Sequence, residues 1–288
     1  MSPRKSELSA IEALVCRDVG RKTQALIDAT GGELAAAAEV LARATSIGLI
    51  TGFYVPRGET PAAETDGPVG TALLAQALAA CGVKVRIATD AHCIDVVRAA
   101  AGSVAVDEVT DVGRAAESWK IAAVDCAVAI ERCGKSVDGK PRNMRGADVS
   151  AWTLPLDDLF LGGPWKRLAV GDGGNEIGMG KLPRALIGAT VPNGEAIACV
   201  TSCDRLIVAG VSNWGAYGLM AALAIVRPEW RERIAPFLSA ERDLAVTRAT
   251  VAAGAVDGVT ARNEATVDGF GPEVHGKLID DLRRIACP

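Results

Sequence analysis

The chain has 288 residues, is 49% apolar and carries a formal net charge of −4, so it can bury a large core and is not a disordered chain. A pI near 5.4 without a basic stripe gives no footing for nucleic acid or an anionic membrane, and no apolar run is long enough to span a bilayer. Eight cysteines stand singly, without a C-x-x-C pair, and only His92 and His275 could join them, so a zinc knuckle is excluded and reduced thiols in the cytoplasm are expected.

In chain order, residues 1–34 read as an N-terminal helical extension. Helical spacing covers 32–45 ("GELAAAAEVLARAT"), and a buried strand follows at 46–53 ("SIGLITGF"). A helix with proline near its start occupies 67–81, a strand 83–89 and a helix 93–101. Further strands fall at 125–131, 167–172 and 205–211, separated by a long loop region over 132–165. Helices at 214–226, 240–254 and 272–286 close the chain. Buried strands alternating with amphipathic helices predict one α/β domain over 1–288. Its expected architecture is a three-layer αβα sandwich, with a mostly parallel sheet covered by helices on both faces.

Such sheets bind ligands at the carboxyl ends of their strands, so the polar residues there are the candidates. After the first strand stand Glu64, Thr65 and Asp66, just ahead of a helix. Thr65 or Asp66 could cap that helix, or Glu64 and Asp66 could offer oxygens to a metal or anion. After 125–131 comes Glu131, then a loop bearing Asp138, Arg142, Asn143, Arg145 and Asp148. Its interleaved charges suit a substrate with both carboxylate and amine, and arginine clamps carboxylates. The stretch "AVGDGGNEIGMGK" at 169–181 places Asp172, Asn175 and Glu176 among five glycines, more polar groups than a tight turn needs. Ser212 and Asn213 open the next helix, as caps or as donors to an anion. His275 is the better placed histidine for acid–base work.

Two carboxylates about 4 Å apart repel by roughly 4 kcal/mol at an effective dielectric of 20. Convergence of Asp66, Asp172 and Glu176 therefore calls for a divalent ion, and oxygen-only ligands point to Mg2+ or Mn2+.

The segments "ITGF", "ETDGP", "IERCGKSVDGKPRNMRG", "GDGGNEIGMGK" and "AGVSNWGAYGL" occur in this order between Ile50 and Leu219. Together they resemble the C-terminal domain of the D-glutamate cyclase family. The resemblance implies reversible loss of water from D-glutamate to give 5-oxo-D-proline. It implies that the motifs around Glu64–Asp66 and Asp172–Glu176 line the site, and that the 131–148 loop folds over it. In animal cyclases this unit follows a large domain resembling a hydro-lyase, so a hydro-lyase-like partner protein or a homo-oligomer is expected.

The resulting expectation is a metal-assisted lyase acting on an amino dicarboxylate. Asp66, Asp172 and Glu176 hold the ion, and Glu131 or Asp138 moves the proton, with His275 in reserve. Arg142 or Arg145 clamps the α-carboxylate, and Glu64, Asn143, Asp148, Asn175, Ser212 and Asn213 contact substrate. The same acidic pocket also fits a metal-dependent phosphomonoesterase, or a non-catalytic small-molecule-binding subunit.

Overall fold

The computed structural model describes residues 3–58 and 61–288. Eight strands run in chain order as β1 (Ser46–Thr51), β2 (Tyr54–Val55), β3 (Ala62–Ala63), β4 (Lys84–Thr89), β5 (Ala105–Glu108), β6 (Cys126–Ile130), β7 (Lys166–Gly171) and β8 (Arg205–Val208). Six of them form one parallel sheet in the order β5-β4-β1-β6-β7-β8, and β2 and β3 form a small antiparallel hairpin. The helices are α1 (Pro3–Val15), α2 (Gln24–Asp28), α3 (Glu33–Leu41), α4 (Pro68–Ala80), α5 (Ile94–Ala101), α6 (Val112–Ile121), α7 (Asp157–Leu161), α8 (Arg184–Thr190), α9 (Gly194–Ile197), α10 (Ser212–Val226), α11 (Arg231–Ile234), α12 (Ala240–Ala252) and α13 (Pro272–Ala286).

The sheet is apolar on both faces because its strands alternate between two cores. Ile47, Leu49, Val128, Ile130, Leu168, Val170 and Ile207 pack with α1, α3, α4, α10 and α13. Ile50, Ala127, Ala129, Ala169, Leu206 and Val208 pack on the other side with Trp119, Phe160 and Ile187 from α6, α7 and α8. A period of two with apolar residues in both registers gives a strand buried on both faces, the condition for a three-layer αβα sandwich. Helix α10 is buried along almost its whole length, which is why "WGAYGLMAALAIV" shows no polar face.

The expected helices and strands are present, with ends moved by a few residues; the strand expected at 205–211 stops at Val208, where the chain turns toward α10. The strands β2, β3 and β5 and the helices α6, α7, α8, α9 and α11 escaped the sequence reading. β5 is only four residues long and partly exposed, as an edge strand tends to be, so it lacks the apolar run that marked the others.

The sheet begins with β1, is extended outward through β4 and β5, and is then built on the other side by β6, β7 and β8 after the chain crosses back. The loops after β1 and β6 therefore leave the sheet in opposite directions and open a crevice between them, the usual binding place in a doubly wound sheet. Among the described residues, no helix is long and apolar enough to cross a membrane.

Candidate functional site

The crevice holds a cavity of about 380 Å3. Its floor carries Glu64, Glu131, Asp172, Glu176 and Asp268, with Arg21 beside them, while Phe53, Val55, Met144, Val191 and Val259 supply an apolar wall. Arg145 and Arg57 stand along its lining.

Asp66, Glu131 and Asp172 each present a carboxylate oxygen within 4.8 Å of the other two, and all three side chains are buried. They come from three separate connections, those that follow β3, β6 and β7, so the topology and not the local sequence assembles them. Glu131 sits at φ +45°, in the left-handed region that a side chain with a Cβ adopts only under constraint. Its Oε2 accepts a 2.5 Å hydrogen bond from the Ser212 hydroxyl. Asp268, which also reaches the cavity, is held at φ +55°. Two strained carboxylates at one cavity are a mark of a site in which position matters more than local comfort.

Burial first, and then the neighbouring carboxylates, push Glu64 and Glu131 well above the usual carboxylate range. Burial does the same for Asp66, opposed by the amides of Asn213 and Ser212 and by Arg21. It does so again for Asp172, opposed by Arg21. Arg21, on the turn between α1 and α2, places Nη1 2.7 Å from Asp172 Oδ2 and Nη2 2.6 Å from Asp268 Oδ2. Neither approach is aligned as a hydrogen bond, so both Oδ2 atoms are buried without a hydrogen-bond donor. One guanidinium does not balance this many acids. They share protons or accept a further cation.

Around the trio lies a frame of reciprocal caps. Asp66 accepts from the Ser212 and Asn213 amides at 2.9 and 2.8 Å, which caps α10 from outside that helix. In return, Asn213 Oδ1 accepts from the Gly67 and Gly70 amides at 2.9 and 2.8 Å and caps α4. Each contact satisfies N–H groups that a helix start leaves free. Asp66 thus does cap a helix, but not the one that follows it in sequence.

The structure redistributes the expected roles. Glu176 is not the third member of the carboxylate trio, and Glu131 takes that place. The Glu176 carboxylate instead accepts from the amides of Asp172, Gly173 and Gly174 at 3.0, 2.6 and 2.7 Å, which ties the glycine loop shut. Gly174 has φ +101°, and a Cβ on Gly173 would lie 2.9 Å from Met144 Sδ, so the glycines serve the turn and a close approach of the 143–145 loop.

Asp138 is exposed and far from a catalytic role. It pairs with Arg142 and accepts from Ser136, which lowers it to about 2. Arg142 spends its guanidinium on Asp138 and on the Gly146 carbonyl, and does not line the cavity. Asp148 is exposed and held by Lys140 and Ser150, so it is also outside the cavity. Ser212 and Asn213 are fully buried as the Glu131 partner and the α4 cap, not as substrate contacts. His275 is a core residue: Trp214 Nε1 donates to its Nδ1 at 2.9 Å, and it packs edge-on against Trp214 and Phe270, away from the cavity.

Glu64, Asn143, Arg145 and Asn175 do line the cavity. Glu64 packs so close to Gly258 that a Cβ there would lie 1.9 Å from its Oε2. Asn175 donates to the Arg142 carbonyl at 2.8 Å and Asn143 Oδ1 accepts from the Arg145 amide at 3.0 Å, which together hang the 142–145 segment over the floor. Arg145 is exposed and has no ion-pair partner among the described residues. The sequence reading missed Arg21 as a site residue and offered Asp268 only as a weak candidate, with a surface turn as its default. Asp268 sits in an Asp-Gly turn signal near the C-terminus, and Arg21 follows a glycine between two short helices; neither lies at a strand end.

Fold and site together define a doubly wound α/β protein with a carboxylate-rich pocket at its topological switch point. The chain belongs to the family of D-glutamate cyclase-like C-terminal domains, whose model matches residues 11–283. It is 34% identical over 218 residues to human "D-glutamate cyclase, mitochondrial", a match that covers 67% of this chain and 35% of that protein. The chain therefore spans about a third of the length of this relative.

Proposed function

We propose that the chain is a lyase that interconverts a glutamate-type amino dicarboxylate, D-glutamate foremost, with its cyclic 5-oxo form and water. Family membership supports this reading, and the observation that carries it is the trio Asp66, Glu131 and Asp172 within 4.8 Å of one another, of which Glu131 and Asp172 line a cavity that also holds arginine.

In the forward direction the amine nitrogen bonds to the γ-carboxyl carbon, one C–O bond breaks, and the departing oxygen leaves as water. The step needs a base for the ammonium proton and an acid for the leaving oxygen. A buried carboxyl that burial pushes well above the usual carboxylate range, as it does Glu64, can serve in either form in one pocket. Glu64, which lines the same cavity and lies outside the trio, is the proton carrier in our reading: as a carboxylate it takes the ammonium proton, and as the carboxylic acid it returns it to the departing oxygen, while the Ser212 hydroxyl fixes the orientation of Glu131 within the trio. Arg145 meets the α-carboxylate, since Arg142 is committed elsewhere.

The trio suits a hard divalent ion, Mg2+ or Mn2+. It offers oxygens only, and Asp172 Oδ2 is buried without a hydrogen-bond donor. Asp66, Glu131 and Asp172 would hold the ion, which would supply Lewis-acid polarisation of a carboxyl oxygen. Eight free cysteines, six of them buried, support work in a reducing compartment.

Incubating the purified chain with D-glutamate, or with 5-oxo-D-proline for the reverse reaction, tests the proposal by chromatography, with EDTA and with added Mn2+. Turnover that EDTA abolishes and Mn2+ restores is expected. Turnover indifferent to chelation removes the ion, and release of phosphate from phosphomonoesters without cyclisation replaces the reaction. In a second reading the chain binds the ligand and a hydro-lyase-like partner protein completes the chemistry. D-Glutamate binding without turnover, with activity gained on adding such a partner, would select it.

A further inference from the structure

Arg21 is presented to the acid cluster by a constrained turn. Asp18 Oδ1 accepts from the Arg21 and Thr23 amides at 3.0 and 3.2 Å, and the flanking Gly20 and Lys22 both lie at positive φ, +95° and +66°. A lysine at φ +66° is held there by its surroundings, not by preference. The guanidinium so delivered stands 2.7 Å from Asp172, a member of the trio, and 2.6 Å from Asp268, a residue outside it. Asp172 is 4% exposed, and its Oδ2 has the charge contact without an aligned hydrogen bond. That oxygen is therefore held by charge and not by a hydrogen bond, and its carboxylate is the one that completes the trio.

We infer that Arg21 is a built-in counter-cation that competes with a divalent ion for Asp172 and keeps the acid pocket folded when no ion is bound. The inference rests on the cation site described under Proposed function. Two positive charges favouring one carboxylate weaken each other's hold, and the coupling is reciprocal. An ion on the trio loosens the Arg21–Asp172 contact while Asp268 retains the guanidinium at the cavity wall, where it faces an anionic substrate.

Mn2+ alone is the probe, titrated into the full chain and followed by the electron paramagnetic resonance of the free ion or by calorimetry. Arg21→Gln is expected to bind Mn2+ about tenfold more tightly than the natural protein, because the rival charge is gone. Arg21→Lys keeps the charge but cannot span both carboxylates, so it is expected to fall between the two, about threefold tighter. It also carries the test should the glutamine variant fail to fold. A merely structural role for Arg21 loosens Mn2+ in both variants, and that result overturns the inference while leaving the cation site standing. Unchanged affinity in both variants does the same. Absence of Mn2+ binding from the natural protein and both variants overturns the cation site and this inference with it.

Discussion

Replacing Glu176 by glutamine separates two roles that the sequence could not. Glu176 is 1% exposed, and its two oxygens accept three amide hydrogen bonds, from Asp172, Gly173 and Gly174. Hydrogen bonds to a charged group contribute about 1.5–3 kcal/mol each and neutral ones about 0.5–1.5. Glutamine keeps one acceptor oxygen for two of the amides, at a loss of about 1 kcal/mol apiece. Its NH2 turns a donor toward the third, leaving a buried N–H unmet at about 1–3 kcal/mol. Relief of repulsion with the neighbouring acids offsets part of this, so the net loss is about 3 kcal/mol. At about 2 °C per kcal/mol for a chain of this size, Tm falls by roughly 6 °C. Thermal unfolding followed by circular dichroism, once in EDTA and once with saturating Mn2+, measures it. A loop tie weakens the protein equally in both media and preserves most of the stabilisation that Mn2+ provides. A variant with normal Tm in EDTA but no response to Mn2+ would make Glu176 a ligand and refute the reasoning.

Other perturbations probe the rest of the site. Glu64, Asp66, Glu131 and Asp172 titrate above their unfolded values, so the folded chain binds more protons than the unfolded chain once pH exceeds the ordinary carboxylate range. Their contribution to stability is complete below that range and is lost as pH rises through the raised values. In EDTA, Tm should fall between pH 5 and pH 8, and saturating Mn2+ should flatten that slope; a Tm rising with pH in EDTA contradicts the assignment. His275→Ala removes the acceptor of Trp214 Nε1 and opens the core, for a cost of about 2–4 kcal/mol, while kcat measured well below Tm stays within about twofold. A loss of a hundredfold or more would return His275 to acid–base catalysis. Arg145→Met should raise KM about tenfold with a smaller change in kcat, whereas Asp138→Asn, on the exposed side of the loop, should alter neither. Equal effects of the two would mean that the loop acts as a whole.

The strands were legible because doubly buried strands must be continuous apolar runs, as in "SIGLIT" and "RLIV". The short edge strand β5 was not legible, because partial exposure removes that constraint. Strand ends then pointed to Glu64, Asp66, Glu131 and Asp172, since a parallel sheet brings its carboxyl ends together whatever the intervening distance in sequence. Which carboxylate faces which could not be read. Asp172 and Glu176 share one glycine loop, and only the fold of that loop turns Glu176 back onto the amides of its own turn. Arg21 was beyond reach, and Asp268 was only a weak candidate, for a different reason. They lie far apart in the chain, and each reaches the site from a turn outside the sheet, where local patterning carries no information about distance. His275 stood out by scarcity alone, and scarcity does not distinguish a base from an acceptor for a buried indole.

Diffraction from crystals grown with Mn2+ and D-glutamate, read at the manganese anomalous edge, tests the central claim most directly. One anomalous peak bounded by Asp66, Glu131 and Asp172, with ligand density reaching Arg145, is the predicted result. A cavity without such a peak at saturating Mn2+, or a peak seated on Glu176 with Glu131 turned away, would contradict it.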